Sequence, residues 1–315
     1  MNILVTGAAG FIGSNMADFL LNHGHKVFGV DNFRTGHKKY IEQALRSPNF
    51  IFIEADLLKG VPNFDEKIDL VIHLAANADI RGGLQNSTID FELNTLITVK
   101  LLEYMRNKSI NRLVYASSAA AIGEPSVFPT PENIPVTQTS LYGASKMASE
   151  CFIQAYASSF GIVADIYRFV SLLGPRYPHG HVIDFVKQLT VEGKDFLTIL
   201  GDGTQRKSYL HVEDCIDAIN TISIESIGNG ANIYNLGYPA YCTVNDSAGW
   251  IISELGLNVE KKFTGGDRGW VGDNPFVFLD VTKAQKTGWI PLHKIEESVR
   301  ETVRWILRNE WILKA

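Results

Sequence analysis

Ile3-Leu-Val-Thr-Gly7-Ala-Ala-Gly10-Phe-Ile-Gly13 reads as a strand, a glycine turn and the start of a helix in immediate succession. That order carries more than the glycines alone. One glycine permits the tight turn, one lets backbone N–H groups approach a pyrophosphate, and the last allows close packing of helix on strand. The positive end of the helix favours the anion. Gly7, Gly10, Phe11, Ile12 and Gly13 are therefore expected to bind a dinucleotide; the alternative is a purely structural turn.

Outward from this stretch, short β-branched runs alternate with helical ones. Ile3 to Thr6, Lys26 to Val30, Phe50 to Glu54, Leu70 to Leu74, Arg112 to Ala116 and Val163 to Tyr167 read as strands. Helices are expected from Phe11 to about Asn22, from about Ile89 to Asn107 and from Leu141 to Phe160. The strands are apolar nearly throughout, as in a parallel sheet covered on both faces. The reading is an α/β fold: a Rossmann-type, doubly wound parallel sheet with a smaller interleaved substrate-binding lobe. Tyr209 to Val212, the helical Glu213 to Ile222, and Asn232 to Leu236 are expected as further sheet elements. The dinucleotide domain is placed at 1–169 plus about 207–240, and the second lobe at about 170–206 plus 241–315.

The 315 residues carry a formal net charge of −5. That balance argues against a protein built to grip nucleic acid, which needs clustered Lys and Arg. No apolar run reaches the roughly 20 residues of a membrane span, so no membrane partner is expected. Cys151, Cys215 and Cys242 are odd in number and far apart, which fits a reducing, cytoplasmic location. Among the histidines, only His179-Gly-His181 is ligand-like, and it lacks the Cys and carboxylate neighbours of a metal site; none is expected.

Asp31 follows the second strand, where a carboxylate accepts bonds from the adenosine ribose hydroxyls. Its charge would repel a 2′-phosphate, favouring NAD over NADP, although Arg34 in the next loop works the other way. Tyr142-Gly-Ala-Ser-Lys146 puts a phenol and an ammonium on one face of a helix start. A tyrosine with a pKa of about 10 is a poor base near neutrality, and an adjacent cation favours its phenolate. Ser117 and Ser118 end the fifth strand, at the edge where α/β sheets hold ligands. A surface ion pair is the plain alternative for Tyr142 and Lys146.

Taken together, Thr6-Gly-Ala-Ala-Gly-Phe-Ile-Gly13, Asp31-Asn32, Asp56-Leu57, His73-Leu-Ala-Ala76, Asn94-Thr95, Tyr115-Ala-Ser-Ser118 and Tyr142 to Lys146 resemble the extended short-chain dehydrogenase/reductase family. The resemblance is to its nucleotide-sugar epimerases and dehydratases, and within them to UDP-glucose 4-epimerase-like proteins. It implies NAD as cofactor, with Asn32, Asp56, Leu57, Leu74, Ala75, Ala76 and Asn94 beside it and Lys146 on the nicotinamide ribose. It also implies Ser118, Tyr142 and Lys146 as catalytic residues.

The family's dehydratases follow the catalytic hydroxyl residue with an Asp-Glu pair, whereas here Ser118 is followed by Ala119 and Ala120. Reversible hydride transfer at C4 of a nucleotide sugar, with a UDP-hexose as the expected substrate, is then the leading activity. The alternatives are a nucleotide-sugar reductase or dehydrogenase and a catalytically idle NAD-binding protein. Later segments, around Gly201 to Val212 and Gly265 to Asp273, resemble the sugar-nucleotide lobe and offer Lys207 and Arg268 to a diphosphate; solvated loops are the alternative. Ser117, Ser118, Tyr142 and Ser171 are expected around the sugar. Val277 matches the position that gates a bulky C2 substituent in similar 4-epimerases. A homodimer through the helices of 89–107 and 141–160, using Leu93, Leu96 and Phe152, is also expected.

Overall fold

The computed structural model describes residues 1–80, 83, 85–226, 228–270 and 272–314. Val271, inside the segment expected to serve the second lobe, lies outside these. The chain begins β1 (Asn2–Thr6), α1 (Phe11–Asn22), β2 (Lys26–Asp31), β3 (Phe50–Glu54), β4 (Leu70–His73), α2 (Ile97–Asn107), β5 (Arg112–Ser118), α3 (Leu141–Phe160) and β6 (Val163–Phe169). It continues with β7 (Ser171–Leu173), α4 (His181–Thr190), β8 (Phe196–Ile199), β9 (Arg206–Lys207), β10 (Tyr209–His211), α5 (Val212–Ile219) and β11 (Ala231–Leu236). Last come β12 (Cys242–Thr243), α6 (Val244–Glu254), β13 (Glu260–Phe263), β14 (Phe276–Val277), α7 (Thr282–Gln285) and α8 (Ile295–Arg308).

Seven strands form one parallel sheet in the order β11-β6-β5-β4-β1-β2-β3. The direction of winding reverses between β1 and β4, which opens a crevice at their carboxyl ends. Ile3, Leu4 and Val5 are fully buried because helices cover both faces. At the crevice Thr6 Oγ1 meets His73 Nδ1 at 2.7 Å, and His73 Nε2 meets Thr98 Oγ1 at 3.1 Å. This buried chain ties β1, β4 and α2 together where the winding changes.

Local chemistry sets the helix ends. α3 starts at Ser140, whose Oγ accepts the Gly143 N–H at 3.0 Å, and stops at Gly161 in the left-handed region at φ 70°. A cap of this kind contributes about 1 kcal/mol, and only glycine enters that region without a steric cost. α1 differs, because its N-cap is Gly10 and no side chain caps it. Its first N–H groups are left to whatever occupies the crevice.

The structure departs from the sequence reading in two places. The helix expected over 89–107 widens into a π-turn at Phe91–Leu96 before α2. Tyr209 to Val212, expected in the main sheet, forms β10, which pairs with β7 in a separate two-stranded sheet. Further short sheets pair β8 with β13 and set β9 between β12 and β14. A second apolar cluster including Leu173, Val182, Leu197, Ile251, Val299 and Val303 lies under these elements. No helix among the described residues is long and apolar enough to cross a membrane.

Candidate active site

A cleft of about 1310 Å³ runs from the glycine turn, past the ends of β5 and β6, to β9 and β14. Single-ligand pockets are typically about 300 to 1,000 Å³, so this one has room for a dinucleotide and a second ligand. Its dinucleotide end is shaped by close backbone approach. A Cβ on Gly13 would stand 2.0 Å from the Gly7 carbonyl oxygen, and one on Gly7, at φ +70°, would stand 2.7 Å from the Ala75 backbone nitrogen. Asp31 accepts the Ala9 N–H on Oδ2 at 3.0 Å and the Phe33 N–H on Oδ1 at 2.7 Å. Its carboxyl is buried, which pushes its pKa up against those two bonds. Each oxygen keeps one further lone pair for a ribose hydroxyl.

Gly7, Gly10, Phe11, Ile12, Gly13, Asp31, Asn32, Asp56, Leu57, Leu74, Ala75 and Ala76 all line the cleft. Asn94 does not. It is buried one layer behind, where Oδ1 accepts the Asn77 N–H at 2.8 Å and Nδ2 donates to Ser145 Oγ at 2.9 Å. Both ends of its amide are thus spent bridging the β4 loop to α3, and Asn77 stands at the wall in its place.

Tyr142, Lys146 and Ser118 converge on the middle of the cleft. α3 brings phenol and ammonium to one face, and β5 ends on the serine. Lys146 Nζ donates to the Ala116 carbonyl at 2.9 Å and lies over the Tyr142 ring, 5.9 Å from its centroid. Burial raises the Tyr142 phenol to about 12, with the nearby Ser118 hydroxyl pulling it down and the charge of Asp90 pushing it further up. Burial lowers Lys146 to about 8, opposed by the charges of Glu150 and Asp90. Such opposed shifts in one cleft mark a functional site. Ser118 Oγ accepts the Ala120 N–H at 3.1 Å, which orients it.

Two expected substrate contacts sit differently. Ser117 borders the cleft, but its Oγ is turned to the interior and donates to Glu150. Arg268 is not part of the cleft wall; its guanidinium holds both oxygens of Glu124, at 2.7 and 3.2 Å, and the Asp273 carbonyl at 2.7 Å. A carboxylate across the rim meets the fork that sequence reading assigned to phosphate. Lys207 does face the cleft, where its Nζ bonds Asp273 Oδ1 at 2.8 Å and the Asn274 carbonyl. Ser171 and Val277 line the same region, with Trp270, Gln205 and Thr139, which sequence reasoning did not single out.

The two histidines singled out both line the cleft, and His181 Nε2 bonds Ser247 Oγ at 2.8 Å. His211 and His293 instead stack at 4.2 Å beside Glu213, outside the cleft wall. His211 Nδ1 caps α5, and Asp214 holds His293 Nδ1 at 2.9 Å, so both rings serve the start of that helix.

These features describe a dinucleotide-binding α/β fold with Ser118, Tyr142 and Lys146 gathered in one cleft. Residues 3–237 match the NAD dependent epimerase/dehydratase family, and the chain belongs to it. It is 32% identical to a putative UDP-glucose 4-epimerase of Methanocaldococcus jannaschii, over 98% of this chain and 99% of that one. It is 30% identical to a UDP-glucuronate 4-epimerase of Thermodesulfobacterium geofontis, over 99% of this chain and 98% of that one. A solved UDP-galactose 4-epimerase superimposes with a TM-score of 0.87 at 33% identity, covering 99% of this chain and 100% of that one. A Bacillus cereus UDP-glucuronic acid 4-epimerase, solved with UDP-glucuronic acid and NAD, gives 0.88 at 27% identity, covering 98% and 100%. NAD is the cofactor of this family, and the glycine cradle and Asp31 fit it.

Proposed function

We propose that the protein epimerises a UDP-hexose at C4 through a transient 4-keto sugar. The observation that carries this reading is the Ser118–Tyr142–Lys146 constellation with Ala119 and Ala120 beside it in the cleft wall. Elimination of water needs an acid and a base at the sugar, and that position offers neither. NAD held by the glycine cradle and Asp31 would supply a hydride acceptor and, once reduced, the donor for the return. Tyr142 takes the C4 hydroxyl proton, Ser118 bonds the same oxygen, and Lys146 stabilises the phenolate. The 4-keto sugar then presents its other face in the cleft, and Tyr142 returns the proton to the C4 oxygen.

The second lobe, about 170–206 plus 241–315, holds the nucleotide in this reading, with Lys207 at its border exchanging Asp273 for the diphosphate. Arg268 reaches the same anion only by leaving Glu124. Val277 borders the sugar and leaves room for an N-acetyl group at C2. We also propose a homodimer across α3 and the helix before it. Of the expected residues, Leu93 is buried at the cleft, Leu96 is half-buried and Phe152 is exposed, as are Phe91, Leu141 and Phe160 on the same segments. Turnover of UDP-glucose, UDP-galactose, UDP-glucuronic acid and UDP-N-acetylglucosamine, read by product NMR, tests the assignment. A C4 epimer from one of them supports it; loss of water or net oxidation sinks it.

A further inference from the structure

Three buried groups unused by this mechanism meet behind the catalytic helix. Arg168 donates from Nε to Glu150 Oε1 at 3.0 Å and from Nη2 to Oε2 at 2.7 Å. Ser117 Oγ donates to the same Oε1 at 2.5 Å. Glu150 is 0% exposed, Arg168 3% and Ser117 4%, so the charges see almost no water. Ser117 and Arg168 are register partners on β5 and β6, while Glu150 lies one turn beyond Lys146 on α3. The Arg168 Nη1 donates to the Glu132 carbonyl at 2.9 Å, and the Glu132 carboxylate takes the Asn235 N–H of β11 at 3.0 Å. One carboxylate thereby joins the catalytic helix to the strand that carries Ser118 and, through Arg168, to the sheet edge.

A buried ion pair is weak evidence for stability, since well-packed apolar residues of similar volume often do as well or better. Its position points to another role. We propose that Glu150, held by Arg168 and Ser117, is a positioning residue that fixes the serine end of β5 against α3 and keeps the buried Lys146 an ammonium. This rests on the reading of Lys146 as catalytic.

The surroundings of Lys146 support it. Burial drives that amine towards neutrality, and Glu150 is the first of two charges that oppose the drift, Asp90 being the other. Arg168, bonded to both Glu150 oxygens, offsets part of that charge. Tyr142 lies on its own helix, the Tyr115 ring of β5 is 5.1 Å away, and His73 of β4 is kept neutral by burial and by Lys146 itself. Asp90, at the start of the helical segment before α2, is 1% exposed and accepts from Asn77 Nδ2 at 2.9 Å.

The test is a ¹⁵N NMR titration of the Lys146 amine in the full chain without substrate. Its midpoint is expected to fall in Glu150→Gln, which removes a negative charge one turn from the amine and leaves Arg168 unpaired. An unchanged midpoint in folded Glu150→Gln overturns the proposal. If that variant does not fold because Arg168 is orphaned, the fall is read between Arg168→Met and Glu150→Gln/Arg168→Met, which differ only in the Glu150 charge, and its absence there overturns the proposal. With UDP-galactose as probe, the alkaline limb of kcat moves with the lysine while KM holds. Loss of turnover in Lys146→Met with an unshifted lysine in Glu150→Gln sinks the Glu150 role alone; full turnover in Lys146→Met sinks the catalytic reading itself.

Discussion

Tyr142 is buried and its phenol is displaced upwards to about 12. In that state it is protonated at neutral pH, and it becomes a base only where positive charge accumulates around it. Lys146 is the positive charge the chain itself provides. Replacing Tyr142 by Phe removes the proton-transferring oxygen and little else, so Tyr142→Phe is expected to keep its fold and NAD while losing about 10²- to 10⁴-fold in kcat. Steady-state kinetics beside a cofactor-binding isotherm checks both halves. Val277 makes a sharper point about specificity. A tyrosine there overfills the sugar region at a cost of about 1 to 3 kcal/mol, roughly ten- to a hundredfold. Val277→Tyr should therefore lower kcat/KM for UDP-N-acetylglucosamine relative to UDP-glucose, and an unchanged ratio removes Val277 as the gate.

Among the elements, β1, α1 and β2 show how a fold-deciding stretch works. A strand delivers the chain into a turn where Gly7 and Gly13 leave no space for a Cβ, and an uncapped helix follows. Gly13→Ala puts a methyl group on a carbonyl oxygen 2.0 Å away; calorimetric titration should show NAD affinity falling at least about tenfold, in line with overpacking. The junction of β1 and β4 has a pH signature. His73 is held down to about 3 by burial, from an ordinary value of 6.5. Between those values the unfolded chain binds a proton that the folded chain refuses, so this part of the stability is whole above pH 6.5 and is lost as pH falls towards 3. Imidazole NMR should find His73 still neutral at about pH 5, below the ordinary histidine range; a charged ring there contradicts the assignment.

The same elements show what sequence could tell. α1, β3 and α3 have the bounds read from the pattern: the glycine turn marks the start of α1, a β-branched and aromatic run marks β3, and Ser140 and Gly161 bracket α3. The pairing of β10 with β7 was not legible, since a three-residue strand has no period and its partner is chosen by tertiary packing. Asp31, Tyr142, Lys146 and Ser118 were legible as motifs. The tie of Glu150 to Arg168 was not, because a lone Glu in a helix reads as surface and its burial depends on a strand several turns away. Arg268 shows the converse: its fork suits phosphate, and only the folded chain shows it held by Glu124.

At the scale of the whole molecule, one seven-stranded sheet and a second apolar cluster leave a cleft long enough for two ligands end to end. Exposed Phe152 and Phe160 on α3 motivate the homodimer; light scattering at micromolar concentration should give twice the 34.9 kDa chain mass, and a monomer excludes it. The central claim is a hydride removed from C4 and returned to the opposite face of the same sugar without exchange with solvent. It is tested by incubating the protein, with its NAD, and UDP-galactose or UDP-N-acetylglucosamine in deuterated water and following the sugar protons by NMR. The account predicts growth of the C4 epimer of at least one of them to a constant ratio, with protium retained at C4 and no net reduction of NAD. Deuterium at C4, a dehydrated sugar, or product formed only in step with NAD consumed contradicts it.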